Sequence, residues 1–193
     1  NDIDGNTYKT VTIGTQTWMA ENLKVTKYND GTAIPNVIDY IAWGELTTGA
    51  YCNYNHYSSK VATYGRLYNW YAVNTGKLCP TGWHVPSDAE WNELREYLGG
   101  ECIAGGKLKE TGTTHWLSPN SGATNESGFT ALPGGYRYHN GPFGSIGYLG
   151  NWWSSTEYGA SNADYWGLGM DYYGLSSHNY GEVGGFSVRC VKD

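Results

Sequence analysis

The stretch Pro-Ser-Asp-Ala-Glu-Trp-Asn-Glu-Leu-Arg-Glu-Tyr-Leu, residues 86–98, carries the strongest local folding signal in the sequence. Ser87 is a favoured helix N-cap. Glu90 stands three positions later, so the two side chains can satisfy each other's backbone N–H groups as a capping box. Apolar residues then recur at the i, i+3, i+7 spacing of one helix face, at Trp91, Leu94 and Leu98. The pattern predicts a helix over residues 88–98.

The segments around this helix add one more helix and three strands. Residues 64–73 are predicted to be helical, because their large apolar side chains also follow helical spacing. These side chains are Tyr64, Leu67 and Tyr71. At the N-terminus, residues 10–13 and 16–19 flank a glycine-containing turn and predict two paired strands. At the other end, side chains alternate over 186–191, with Phe186, Val188 and Cys190 on one face, which predicts a half-buried closing strand.

The composition restricts the class of protein. The 193 residues include 28 Gly, 18 Tyr and 9 Trp, whereas charged residues make up only 16%, against about a quarter in an average domain. The net charge is -6, and no run of Lys or Arg offers a footprint for nucleic acid.

No apolar stretch approaches the roughly 20 residues of a spanning helix, so we expect no membrane insertion of this domain. The length predicts a single domain over residues 1–193, and the start at Asn1 leads us to expect a removed upstream segment.

Residues 105–185 form a long stretch rich in glycine, serine, asparagine and aromatic residues. We expect loops with short strands there. Rigid aromatic rings among small polar residues are typical of recognition surfaces, and Trp rings also stack on sugars. The predicted ligand-binding residues are Tyr136, Tyr138, Trp152, Trp153, Trp166, Tyr172, Tyr173 and Tyr180. The alternative is that such rings fill the core, and we expect an even division. If Trp152 and Trp153 sit on a strand, one ring should face inward and one outward.

No pattern of catalytic or metal-binding residues stands out. The five histidines have no short spacing to another His or to Cys, and neither a nucleophile elbow nor a phosphate-binding loop occurs. We therefore predict no catalytic residue, no metal ligand and no cofactor. Four loop acids could still pair for glycoside hydrolysis or gather around a calcium ion. Calcium is therefore the one cation that the sequence leaves open. These acids are Glu157, Asp164, Asp171 and Glu182.

Five blocks of sequence carry a family resemblance over nearly the whole chain. They are Val-Thr-Ile-Gly-Thr-Gln-Thr-Trp-Met-Ala-Glu-Asn-Leu (11–23), Tyr-Gly-Arg-Leu-Tyr-Asn-Trp-Tyr-Ala (64–72), Cys-Pro-Thr-Gly-Trp-His-Val-Pro-Ser-Asp-Ala-Glu-Trp (79–91), Gly-Phe-Thr-Ala-Leu-Pro-Gly-Gly-Tyr (128–136) and Phe-Ser-Val-Arg-Cys-Val-Lys-Asp (186–193). In this order they closely resemble the Fibrobacter succinogenes major paralogous domain. The resemblance implies a largely uncharacterised domain of exported and surface lipoproteins of Bacteroidetes and Fibrobacteres.

A more distant likeness concerns the fold. Residues 84–91 and Gly185-Phe186 are similar to motifs of the formylglycine-generating, sulfatase-modifying family, a variant of the C-type lectin fold. That likeness implies paired terminal strands, two helices and a long loop region that bears the ligand surface. The modifying enzymes carry a catalytic cysteine pair ahead of the final strand. Here Cys190 lies in that strand, so we expect their activity to be absent. The Glu-Pro-Asn and Gln-Pro-Asp tripeptides of calcium-dependent sugar-binding lectins do not occur either.

The four cysteines, Cys52, Cys79, Cys102 and Cys190, are too far apart for a zinc knuckle. They admit three complete disulfide pairings. The lectin-like resemblance implies that Cys79 and Cys190 approach each other, which leaves Cys52 and Cys102 as a second bridge or as buried thiols. A chain rich in Tyr and Trp with few Lys is typical of exported proteins, whose compartment permits disulfides. We therefore expect export.

Together these observations predict an α+β domain of the C-type lectin-like type, with paired terminal strands, two helices and a long glycine- and aromatic-rich loop region. We expect a non-enzymatic module, exported or at the cell surface, that binds a glycan or a surface protein through residues 134–180. Two alternatives stay open. One is a carbohydrate hydrolase that uses the loop carboxylates, and the other is a structural or adhesive subunit of a surface assembly.

Overall fold

A mixed α+β architecture with few helices and several sheets is seen in the computed structural model, which describes residues 1–193. The strands are β1 (Thr10–Ile13), β2 (Gln16–Met19), β3 (Tyr51–Cys52), β4 (Leu67–Tyr68), β5 (Trp83–His84), β6 (Gly134–Arg137), β7 (Phe143–Ile146), β8 (Leu149–Gly159), β9 (Asn162–Gly169), β10 (Ser176–Gly181) and β11 (Val191–Lys192). The helices are α1 (Tyr40–Gly44), α2 (Val61–Tyr64), α3 (Trp70–Asn74), α4 (Asp88–Tyr97) and α5 (Ala104–Leu108). Two 3-10 turns, Tyr54–His56 and Ser58–Lys60, precede α2.

The two ends of the chain meet in a four-stranded antiparallel sheet with the order β1-β2-β11-β5. The predicted strands β1 and β2 are confirmed, and Trp18 of β2 pairs with Val191 of β11. The half-buried strand predicted over residues 186–191 is wrong, because all six of these residues are buried and strand β11 covers only Val191–Lys192. Phe186 forms two backbone hydrogen bonds with Tyr68 of β4, and Ser187 bonds to β8. The segment is therefore covered on both sides.

Helix α4 confirms the prediction for residues 88–98. The Ser87 side chain accepts from the N–H of Glu90, and the Glu90 carboxylate accepts from the N–H of Ser87. The helix buries Trp91 and Leu94, as the i, i+3 spacing requires. The capping box and the apolar face thus lie where the sequence places them.

The single helix predicted over residues 64–73 is wrong, because the segment is divided into the end of α2, β4 and α3. Gly65 ends α2 with a φ of +74°, and a Cβ there would lie 2.6 Å from Cβ of Asn22. Only glycine accepts both the left-handed backbone and this close approach. Asn69 then starts α3 by accepting a hydrogen bond from the N–H of Ala72. The aromatic stripe therefore spans three short elements.

A five-stranded sheet with the order β10-β9-β8-β6-β7 occupies much of the stretch predicted as loops with short strands. Strand β8 alone has 11 residues, and Trp152 of β8 pairs with Trp166 of β9. The sheet is antiparallel apart from β6 and β8, which are joined in parallel through Gly135 and Gly150. Helix α5 (Ala104–Leu108) occupies the first residues of this region. The predicted loop region is thus largely a sheet.

The indole rings of this sheet belong to the core, which corrects the prediction that Trp152, Trp153 and Trp166 contact a ligand. Their exposed fractions are 0%, 0% and 1%. The expectation of one outward ring at the tandem pair is also wrong, because the two faces of β8 pack against different core clusters. Each indole N–H has an internal acceptor, which is the side-chain oxygen of Asn22 for Trp152, the carbonyl of Tyr68 for Trp153 and the carboxylate of Asp88 for Trp166.

One disulfide, between Cys79 and Cys190, joins the loop before β5 to the residue before β11. This confirms the pairing that the lectin-like resemblance implies. A second bridge is not formed, because Cys52 is a buried thiol and Cys102 is an exposed thiol. None of the helices is long and apolar enough to cross a membrane.

Candidate ligand-binding groove

A shallow groove of about 440 Å³ crosses β8, β9 and β10 on the face opposite to Trp152 and Trp166. Alternate residues of each strand point to this face, while Trp152 and Trp166 point to the core behind it. The groove is lined by Leu149, Asn151, Tyr165, Gly167, Leu168, Gly169, Asp171, Tyr172, Ser176 and His178. Clefts of this volume are typical of sites for small ligands.

The floor of the groove is a row of three residues in register. Asn151 of β8 pairs with Gly167 of β9, which pairs with Ser176 of β10. A Cβ on Gly167 would lie 3.1 Å from the side-chain oxygen of Asn151. The missing side chain at Gly167 therefore keeps the floor low between two polar side chains.

The carboxamide of Asn151 is the most informative group of the groove. Asn151 is only 5% exposed, yet its side chain makes no hydrogen bond within the protein. Its amide oxygen and nitrogen still reach solvent at the groove surface, because neither is among the fully buried side-chain atoms that lack a partner. The carboxamide of Asn22, by contrast, bonds within the protein to groups of Tyr64, Ser187, Trp152 and Arg189. The Asn151 amide is thus free to bond to a ligand.

The other polar side chains around Asn151 share this property. None of their side-chain oxygen or nitrogen atoms is hydrogen-bonded within the protein, although all of them line the groove. They are Tyr165, Asp171, Tyr172, Ser176 and His178. Hydroxyl, carboxylate and imidazole groups therefore surround the amide with unused donors and acceptors.

Aromatic rings form the two walls. On one side the rings of Tyr165 and His178 lie 5.4 Å apart at 32°, and Phe186 supports Tyr165 from behind at 4.6 Å. Burial raises the pKa of Tyr165, and the neighbouring Tyr180 adds to that effect, so the phenol stays a neutral donor. On the other side Tyr172 is 45% exposed. The groove thus offers aromatic walls above a polar floor.

The structure divides the predicted ligand-binding residues into three groups. Tyr172 lines the groove. Tyr136, Tyr138 and Tyr180 lie together beside it, with Tyr136 and Tyr138 rings 4.6 Å apart and the Tyr180 ring 6.5 Å from that of Tyr165. Tyr173 is exposed but lies over Gly122, outside the groove. The three tryptophans, as described above, lie in the core.

Sequence reasoning did not single out Asn151, Ser176 and His178, which line the groove. The available signal is the alternation within β9, where Tyr165, Gly167 and Gly169 face the groove and the residues between them face the core behind it. That signal becomes readable only when β8 and β10 are known to flank the strand.

The four loop acids do not gather at one place. Asp171 lines the groove, whereas Asp164 lies near Asp88, and burial together with the charge of Asp88 raises its pKa. Burial and the charge of Glu157 likewise raise the pKa of Glu182. No group of three or more His, Cys, Asp or Glu side chains is placed to hold a metal ion.

A comparison with protein families gives one match. The model of the Fibrobacter succinogenes major domain matches residues 11–192, nearly the whole chain. No curated protein and no solved structure matches the chain.

Proposed function

The chain belongs to the Fibrobacter succinogenes major domain family, and on that premise we propose that this domain is a recognition module that binds an uncharged glycan in the groove. The observation that carries the proposal is the carboxamide of Asn151, which reaches the groove floor from a nearly buried residue and has no hydrogen-bond partner within the protein. A ligand with many hydroxyl groups would supply both donors and acceptors to this amide in place of water.

The walls suit a sugar for a second reason. A pyranose ring has apolar C–H faces and hydroxyl groups around its edge, so it needs flat apolar surfaces together with polar groups. Tyr165 and Tyr172 provide the surfaces, and Asn151, Ser176 and His178 provide the polar groups. Asp171 is the only carboxylate of the groove, and its charge disfavours acidic sugars, sulfates and phosphates.

Binding is favoured over the alternative functions by the same geometry. Hydrolysis of a glycoside by paired carboxylates needs two of them across the sugar, whereas the groove contributes Asp171 alone. A stable protein partner would cover about 800 Å² of this surface, whereas the ten residues of the groove enclose a volume typical of a site for a small ligand. We therefore assign the groove to a small glycan segment.

The finer fold and the location are part of this proposal. We infer a C-type lectin-like arrangement, which is supported by the pairing of the end strands β2 and β11 and by the disulfide between Cys79 and Cys190. A structural disulfide persists in oxidising compartments, so it supports export and a place at the cell surface.

A glycan array with neutral and acidic glycans, run with and without a chelator, tests the proposal. We expect binding to a set of neutral glycans and at least a tenfold loss of affinity in Asn151→Ala. Asn179→Ala is the matched control, because Asn179 is an exposed asparagine on β10 outside the groove. Silence on every glycan, or unchanged affinity in Asn151→Ala, would overturn the proposal and favour a protein partner.

A further inference from the structure

The residue after helix α5 is a lysine whose charge lies inside the protein. Lys109 is 0% exposed, and its ammonium donates to the carbonyl oxygens of Ser121, Gly169 and Tyr172 at 2.8, 2.9 and 2.8 Å. The ring of Trp116 lies 5.5 Å from the same nitrogen. All three N–H donors of the ammonium are thus used by backbone carbonyls.

The surroundings of this ammonium are those of a bound cation. No carboxylate lies within 4.0 Å of Lys109, so backbone dipoles and an aromatic face hold its charge. Burial lowers the pKa of Lys109 to about 8, while the charge of Asp171 opposes that change. The charged form with three donors is therefore the one present at neutral pH. A buried charge of this kind is costly unless every donor is satisfied, which the three carbonyls achieve.

The carbonyl partners connect Lys109 to the candidate groove. Gly169 and Tyr172 are both groove residues, and they bracket Asp171. The third carbonyl, of Ser121, belongs to the long connection before β6. The ammonium therefore ties the backbone of the groove wall, residues 169–172, to the body of the domain from behind.

We propose that Lys109 is the positioning residue of the groove. Its ammonium holds the backbone of residues 169–172 in place as a structural cation would, so the groove keeps its shape without a bound metal ion. The ligand part of this proposal rests on the proposed function, whereas the ordering of residues 169–172 does not. Lys109 itself does not contact the ligand, because it lies behind the wall.

Hydrogen exchange measured by mass spectrometry tests the ordering directly. In Lys109→Met the three carbonyls lose their donors, and we expect exchange of peptides over 169–173 to quicken at least tenfold. Arg137→Met is the matched control, since Arg137 is another fully buried cation, and its guanidinium donates to four backbone carbonyls, those of Gly141 and of residues 37–39. It should lower stability without quickening exchange at 169–173.

Chemical rescue separates positioning from a general loss of stability. Lys109→Ala removes three methylenes and the ammonium, so we expect added n-propylammonium to restore slow exchange at 169–173. The neutral 1-propanol should not restore it. If Lys109→Met fails to fold, Lys109→Ala refolded with n-propylammonium gives the same comparison. Unchanged exchange in both variants, or equal rescue by the alcohol, would overturn the proposal.

Glycan affinity supplies the last comparison. For a neutral glycan bound by the wild type, we expect at least a tenfold loss in Lys109→Met, no change in Arg137→Met and no effect of EDTA on the wild type. Loss of wild-type binding in EDTA would contradict the role of the ammonium. If the wild type binds no glycan, the proposed function fails, while the exchange experiment still decides the role of Lys109.

Discussion

Three buried cations show how this chain uses its few charged residues. Lys109, Arg137 and Arg189 are at most 1% exposed, and each is held by carbonyl or amide oxygens rather than by a carboxylate. Burial lowers the pKa of Arg189 to about 9. Each cation joins loop segments that are distant in sequence, such as residues 129–130 and Asn22 at Arg189. Single charged residues thus act as cross-links between irregular segments.

Substitution of Gly167 tests whether the ligand reaches the floor of the groove. We expect Gly167→Ala to weaken glycan binding at least tenfold, because its Cβ would lie 3.1 Å from the side-chain oxygen of Asn151 and fill the floor. Gly181→Ala is the control on the same sheet, where the nearest atom would be 3.9 Å away. Titration calorimetry measures the affinities and thermal unfolding the stabilities. Equal affinities in the two variants would show that the ligand does not reach the floor.

His84 should give the stability a pH dependence. Its two ring nitrogens lie 2.7 Å from a carboxylate oxygen of Asp193 and 2.8 Å from one of Glu90. Burial disfavours the protonated ring, but the hydrogen bonds and charges of Asp193 and Glu90 outweigh it and raise the pKa. A raised pKa means that the stabilisation is complete below pH 6.5, the ordinary pKa of histidine, and is lost as the pH rises through the higher value in the folded protein.

Because the His84 side chain is 41% exposed, we expect this contribution to be at most about 1 kcal/mol. Urea unfolding between pH 5.5 and 8.5 measures it, with His84→Gln as the comparison. The difference in unfolding free energy between wild type and variant should shrink across that range. A constant difference would mean that the imidazole gains nothing from its proton.

At the scale of elements, signals within one segment predicted well and signals that depend on neighbours did not. Helix α4 follows from its own capping box and spacing. The segment 64–73 has the same apolar spacing, but the contact of Gly65 with Asn22 divides it. Strand β8 hides its alternation, since its two faces both meet core clusters and leave Trp152 and Trp153 equally buried. Sequence analysis also missed the groove, because the groove forms only where β8, β9 and β10 lie side by side, and no single segment carries its pattern.

The contribution of the capping box to the stability of α4 can be tested by mutation. Ser87→Ala removes the acceptor for the N–H of Glu90, so we expect a loss of about 1 kcal/mol in unfolding free energy. Ser155→Ala is the control, because Ser155 is an exposed serine beside the start of α4 that bonds to Pro86 only through its backbone. Urea denaturation measures both. Equal stability of the two variants would show that the cap adds nothing to α4.

For the whole molecule, the sheet that joins the chain ends and the sheet that carries the groove share one core. The segment 186–190 bonds to β4 and β8 and then leads into β11. Phe186 supports Tyr165 of the groove wall, and Cys190 is tied to Cys79. The closing segment therefore connects the sheet that joins the chain ends to the face that carries the groove.

The disulfide is the strongest single constraint on how the two ends of the domain are held together. Cys79 and Cys190 are separated by 111 residues, and a cross-link over a loop of that length stabilises by about 4–5 kcal/mol in the chain-entropy model. We expect the double variant Cys79→Ala, Cys190→Ala to lose roughly that amount in urea denaturation. Cys102→Ala, which removes an exposed thiol, should lose almost nothing. A loss below about 1 kcal/mol in the double variant would mean that β2, β5 and β11 hold the chain ends without covalent help.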